Sequence, residues 1–179
     1  MPRVLIVVMV IAVAMTATLA CQSEAHRPQG VGAKAVADLL GRDGSTMGTV
    51  TLTQSPHGVL VAADVTGLEP GGHGFHIHAV GSCTPDFSAA GDHFNPENIG
   101  HGLNHPSGVH PGDMPNIYAG TDGRVRADYF TDTITLDGGV GHTLFDADGS
   151  AIIVHEKPDS YGADPGAGAR VACGVIQRN

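Results

Sequence analysis

Tryptophan is absent from this chain, aromatic residues make up only 4% and charged residues only 15%. Those shortages argue against long amphipathic helices, and 26 glycines with 11 prolines fit short strands joined by tight turns instead. Basic residues are also scarce. Nine Lys and Arg stand against 18 Asp and Glu, a net charge of −9 at pH 7, and there is no basic stripe, which speaks against nucleic acid as a partner. No internal repeat occurs, and 179 residues suit one core plus an export segment rather than two domains.

Nor is any apolar run long enough to cross a bilayer. Residues 1–20 (MPRVLIVVMVIAVAMTATLA) carry one arginine near the start, an apolar stretch from Val4 to Met15 and small residues before Cys21. That stretch falls short of the ~20 residues a membrane span needs, and its layout is that of a secretory signal peptide. Leu19-Ala20-Cys21 resembles the lipoprotein signal, in which the cysteine becomes the lipidated first residue, although Thr18 stands where leucine is usual. The expectation is export to the cell envelope, periplasmic or cell-surface, with a lipid on Cys21 as the only tie to a membrane. Ordinary cleavage after Ala20 would give a secreted protein. Residues 21–33 are polar and aperiodic, a flexible tether, leaving 34–179 as the folded domain. Three cysteines leave one unpaired in an exported chain; if Cys21 takes lipid, Cys83 and Cys173 remain as a pair.

Within the domain, segments of strand character fall at Ala35–Leu40, Gly48–Thr53, Val59–Val65, Gly74–Val80, Asn116–Ala119, Arg124–Phe130, Ser150–His155 and Arg170–Ile176. Turn signals recur roughly every 10 residues, as in a sandwich or barrel. Thr133–Leu136 extends the sixth strand or forms a short piece of its own. The pattern predicts an all-β fold of eight antiparallel strands with two long loops, 81–115 and 156–169. A structureless loop as long as the first is usually functional.

Seven of the 11 histidines lie between His73 and His110. His76 and His78 are two apart on a strand and project from the same face, which prebuilds half a metal site. His93, His101, His110 and Asp113 follow in the loop, a nitrogen-rich set with one carboxylate that suits zinc. An all-imidazole group of His76, His78 and a further histidine such as His155 suits copper. A hydrolytic zinc enzyme lacks its HExxH helix here, and a cupin-like enzyme shares the HxH strand but not the later segments.

The runs HGFHIH (His73–His78), GDHFNP (Gly91–Pro96), HPGD (His110–Asp113), VHEKPD (Val154–Asp159) and GARVACGVI (Gly168–Ile176) together resemble the bacterial, exported form of copper/zinc superoxide dismutase. The resemblance covers about residues 33–177 and implies an eight-stranded Greek-key β-sandwich or barrel holding one copper and one zinc ion per chain. It implies His76, His78, His93 and His155 as copper ligands and His93, His101, His110 and Asp113 as zinc ligands, so that His93 bridges both and also supplies a proton. Asp159 falls where the family has a carboxylate bonded to a ligand of each metal. Arg170 matches the arginine that attracts and orients the substrate, and Cys83–Cys173 matches the family disulfide. His73 matches a structural position, while His26, His57, His105 and His142 match no functional one and read as surface residues.

The implied reaction is dismutation of superoxide to oxygen and hydrogen peroxide. The alternative is a non-enzymatic copper-sequestering lipoprotein on the same fold, and a homodimer is open. The loop before the arginine, Ser160–Ala169, contains no lysine, so weaker electrostatic steering than in lysine-rich relatives is expected, with Lys157 or Lys34 as contributors.

Overall fold

The computed structural model describes residues 30–106, 108–138 and 141–179. The signal-like residues 1–20, Cys21 and His26 lie outside the described residues. Alternating burial builds the first strands. In β1 (Lys34–Gly41) the side chains of Ala35, Ala37 and Leu39 point inward, and in β3 (Gly58–Val65) those of Val59, Val61, Ala63 and Val65 do. β2 (Thr46–Ser55) lies between them, and β6 (Val125–Thr131) pairs with β3.

β4 (Gly71–His78) and β9 (Ala151–His155) differ, because nearly every residue is buried on both faces. Inward, Phe75 pairs with Val154 and Ile77 with Ile152. Outward, His76 pairs with Ile153 and His78 with Ala151, and this outer face is covered by the two long loops. The remaining strands are β5 (Asp113–Ala119), β7 (Ile134–Thr135), β8 (His142–Thr143), β10 (Arg170–Val175) and β11 (Gln177–Arg178), with one 3-10 turn at Phe87–Ala90.

The main sheet runs β5-β4-β9-β10-β1-β2-β3-β6, all antiparallel, with β11 added to β1. Segment 66–70 crosses from β3 to β4, and the chain from β6 returns to β9, which makes the connection a Greek key. The end strands β5 and β6 meet through a tight turn, and Tyr129 Oη donates to the Asn116 carbonyl at 2.9 Å. The sheet is thereby a nearly closed barrel.

All eight expected strands form. β5 starts earlier than expected, at Asp113 rather than Asn116, so the first loop ends at 112. β5 accommodates Pro115 because it is an edge of the sheet, where a missing N–H costs no ladder bond. Thr133–Leu136 does not extend β6: Ile134 and Thr135 pair in parallel with His142 and Thr143. Gln54 fixes that piece, its side-chain oxygen accepting from Leu136 N at 2.7 Å and Thr135 Oγ1 at 3.1 Å.

Candidate metal centre

His93 sits at the centre of a histidine cluster on the outer face of β4 and β9. Its ring centroid is 4.1 Å from that of His76, 4.8 Å from His78, 5.0 Å from His101, 5.7 Å from His110 and 6.2 Å from His155. The loop reaches this position because His93 bridges to His78 as a single antiparallel pair, while Phe94 N donates to the Ile77 carbonyl.

Every ring of the cluster gives one nitrogen to an oxygen acceptor. His76 Nε2 donates to Asp159 Oδ2 at 2.8 Å, His78 Nδ1 to the Gly91 carbonyl at 2.9 Å, and His93 Nδ1 to Asp113 Oδ1 at 2.6 Å. His101 Nδ1 donates to Gly162 O at 2.7 Å, His110 Nε2 to Ile99 O at 3.0 Å and His155 Nδ1 to Gly168 O at 3.3 Å. An imidazole that donates from one nitrogen keeps a lone pair on the other. Those other nitrogens, His76 Nδ1, His78 Nε2, His101 Nε2, His110 Nδ1 and His155 Nε2, are buried without a hydrogen-bond partner among the described residues. Buried polar atoms are rarely left so. Five convergent lone pairs are what a metal centre requires, so the donor set fits copper and zinc.

Burial favours the uncharged form of four of these rings. It pushes the His78 imidazole down to about 2 and the His155 imidazole to about 4, and lowers His76 and His110 as well. Burial alone would raise Asp113, but the bonds from His93 and the Gly102 amide outweigh it and hold the carboxyl near 2. Because unfolded histidines take protons near pH 6.5 and the folded His78 and His155 do not, the metal-free protein should lose stability as pH falls from about 6.5 towards 4. Each of the two contributes up to about 1.4 kcal/mol per pH unit. Urea unfolding of metal-free protein across that range checks this; stability that rises on acidification would contradict it.

The expected residues fall into two overlapping groups. Ligand atoms of His76, His78, His93 and His155 lie within 4.8 Å of one another, as do those of His76, His93, His101 and Asp113. The second group has His76 where the sequence suggested His110. Yet His76 Nε2 is committed to Asp159, and its free Nδ1 serves the first group, whereas the free Nδ1 of His110 lies 3.4 Å from Asp113 Oδ1. Asp159 Oδ2 also stands 3.0 Å from His101 Nε2, off the line of a hydrogen bond, so one carboxylate touches both groups.

Two residues were missed from sequence. Asn116 Oδ1 accepts from Asp159 N at 2.7 Å and Asn116 Nδ2 donates to Asp159 O at 2.9 Å. Tyr161 N donates to Asp159 Oδ1 at 2.7 Å, its hydroxyl accepts from Asn116 N at 2.8 Å, and its carbonyl accepts from Asn104 N at 2.9 Å. Together they fix Asp159 and clasp the two loops. Gly102 is required there: its φ is +105°, and a Cβ would strike the Tyr161 carbonyl.

Arg170 is half-buried at the edge of a cleft of about 640 Å³ also lined by His78, His93 and His155. Its guanidinium donates to the carbonyls of Phe87 and Gly91, both at 2.6 Å. Gly91 therefore anchors both Arg170 and His78. The loop carrying these carbonyls is tied to β10 by the disulfide Cys83–Cys173, whose Cα atoms are 5.9 Å apart. His73 contacts the carbonyls of His155 and Glu69 at 2.7 and 2.8 Å through both ring nitrogens and has none to offer a metal. Among the other histidines, His57 is exposed, His142 meets Glu97 at 2.7 Å, and His105 is half-buried against Gly100.

Residues 46–176 match the family described as copper/zinc superoxide dismutase. A superoxide dismutase (Cu-Zn) of Caulobacter vibrioides is 47% identical over 140 residues, which is 75% of this chain and 80% of that protein. Superoxide dismutase (Cu-Zn) 2 of Aquifex aeolicus is 43% identical over 148 residues, 80% of this chain and 86% of that one. The solved structure of Cu/Zn superoxide dismutase from Brucella abortus superposes with a TM-score of 0.67 at 30% identity, covering 80% of this chain and 99% of that chain. With the matched span and the paired histidine groups in agreement, this chain belongs to the copper/zinc superoxide dismutase family.

Proposed function

We propose that this chain dismutes superoxide at a copper ion held by His76, His78, His93 and His155, supported by a zinc ion held by His93, His101, His110 and Asp113. The observation that carries the reading is the set of five buried, unpartnered imidazole nitrogens gathered around His93. When bound, copper would supply the one-electron redox couple that dismutation needs and zinc a fixed positive charge. The protein's own groups do the rest. Arg170, at the cleft wall, draws in the anion and orients it. His93 Nε2, on the side of the ring away from Asp113, is the atom able to hold and release a proton for peroxide formation. Asp159 keeps His76 oriented, and the Gly162 carbonyl does the same for His101. A copper store would need neither an anion-binding arginine beside the cluster nor a second ligand set, which disfavours the sequestering alternative.

Arg170→Ala tests the assignment of the anion site. We expect full metal content with kcat/KM lowered roughly tenfold and a flatter dependence on ionic strength. An unchanged rate would remove Arg170 from the catalytic set. We further infer export by the segment 1–20, lipid attachment at Cys21 and a tether through residue 33, with the enzyme held at the envelope where extracytoplasmic superoxide arises. The disulfide, suited to an oxidising compartment, supports this reading.

A further inference from the structure

Superoxide is an anion and the chain carries −9, so capture depends on local positive charge. The cations suggested from sequence are poorly placed for this. Lys34 opens β1, at the opposite end of that strand from the cluster side, and Lys157 runs beside Gly168 with Glu156 against the same glycine, which offsets its charge. Arg42, immediately after β1, is placed differently. Its Nε donates to the Arg170 carbonyl at 2.7 Å, and both arginines line a cavity of about 420 Å³ next to the metal cleft. Arg170 forms part of the wall of both hollows.

Two carboxylates oppose them. Asp86 lines the cavity with the arginines, and Asp92 lines the metal cleft beside His93; both act on Arg170 through charge. With Arg42 present, two cations face two carboxylates, and without it one cation would face two. Arg42 acts on Asp86 through charge across the cavity that both line, and such partly exposed charges are screened over a Debye length of ~8 Å at physiological ionic strength.

We infer that Arg42 is a second capture residue, whose charge offsets Asp86 and Asp92 beside Arg170 and keeps the approach to the cleft attractive to an anion, in place of the lysines that residues 160–169 lack. The inference rests on the reading that Arg170 guides superoxide to the copper site. Arg42 touches no reacting atom; it acts through the field, its bond to the Arg170 carbonyl holding its charge in place.

The test compares Arg42→Gln and Arg42→Lys with the unaltered enzyme, all loaded with copper and zinc, following kcat/KM against ionic strength together with metal content and melting temperature. Arg42→Gln should be about two- to fivefold slower at low salt, with the gap closing as salt rises beyond the Debye screening of the pair. Arg42→Lys should keep most of the rate and the salt slope, and metal content and melting temperature should be unchanged in both. Arg42→Gln equal to the unaltered enzyme at low salt would overturn the inference. So would a deficit that persists at high salt and is shared by Arg42→Lys, because that pattern belongs to a structural prop. An inactive unaltered enzyme with both metals bound would instead defeat the functional reading beneath it.

Discussion

His93→Ala should release both metals together and lower dismutation by more than ~100-fold, since even outer partners of a metal ligand cost 10–100-fold when removed. The reason is geometric. His93 is the ring within 6.2 Å of all five other cluster histidines, and it belongs to both convergent groups. Its Nδ1 meets Asp113 while its ring packs against those of His76 and His78. Truncation leaves each group short by one donor. His110→Ala is the contrasting variant: it touches only the zinc side and should weaken zinc more than copper. Metal analysis by mass spectrometry with a dismutation assay reads both. Full loading and full activity in His93→Ala would sink the bridging assignment.

Breaking the disulfide should have the largest effect on stability. Cys83 and Cys173 are separated by 90 residues, and closing a loop of that size restricts the unfolded chain by about 4–5 kcal/mol in the chain-entropy account. Cys83→Ser should therefore destabilise the protein by roughly 3–4 kcal/mol, about 10 °C in melting temperature for a domain of this size. Cys173 is buried with Ala90, Ala151 and Ile153, so Cys83→Ser is the milder of the two replacements. Activity should fall as well, because the tied loop presents the Phe87 and Gly91 carbonyls that hold Arg170. Retained melting temperature in Cys83→Ser would show that the crosslink adds nothing to the native fold.

Much of the site is local in the sequence. His76-Ile77-His78 reads as one strand face because side chains alternate, and the five motifs fall at positions the fold brings to one side of β4 and β9. The strands themselves were legible from alternation and turn residues, as in β1 and β3. Other features have no local sign. Asn116 and Tyr161 look like an ordinary strand residue and an ordinary loop residue, and their hold on Asp159 exists only once β5 and the 156–169 loop are packed together. Arg42 reads as part of a turn after β1; its bond to Arg170 spans 128 residues. The start of β5 at Asp113 shows no alternation to mark it, and as an edge strand it holds Pro115 where an inner strand would not. The pairing of β7 with β8 is two residues long, too short for any periodicity to announce it.

One histidine cluster is proposed to form a copper site and a zinc site that are joined through His93 and used for dismutation. This is tested most directly by metal analysis and a dismutation assay on the same purified chain, metal-free and after adding copper and zinc. The expected result is one copper and one zinc per chain, no activity without copper, and recovery of activity when copper returns. Both sites filled with no dismutation would contradict it.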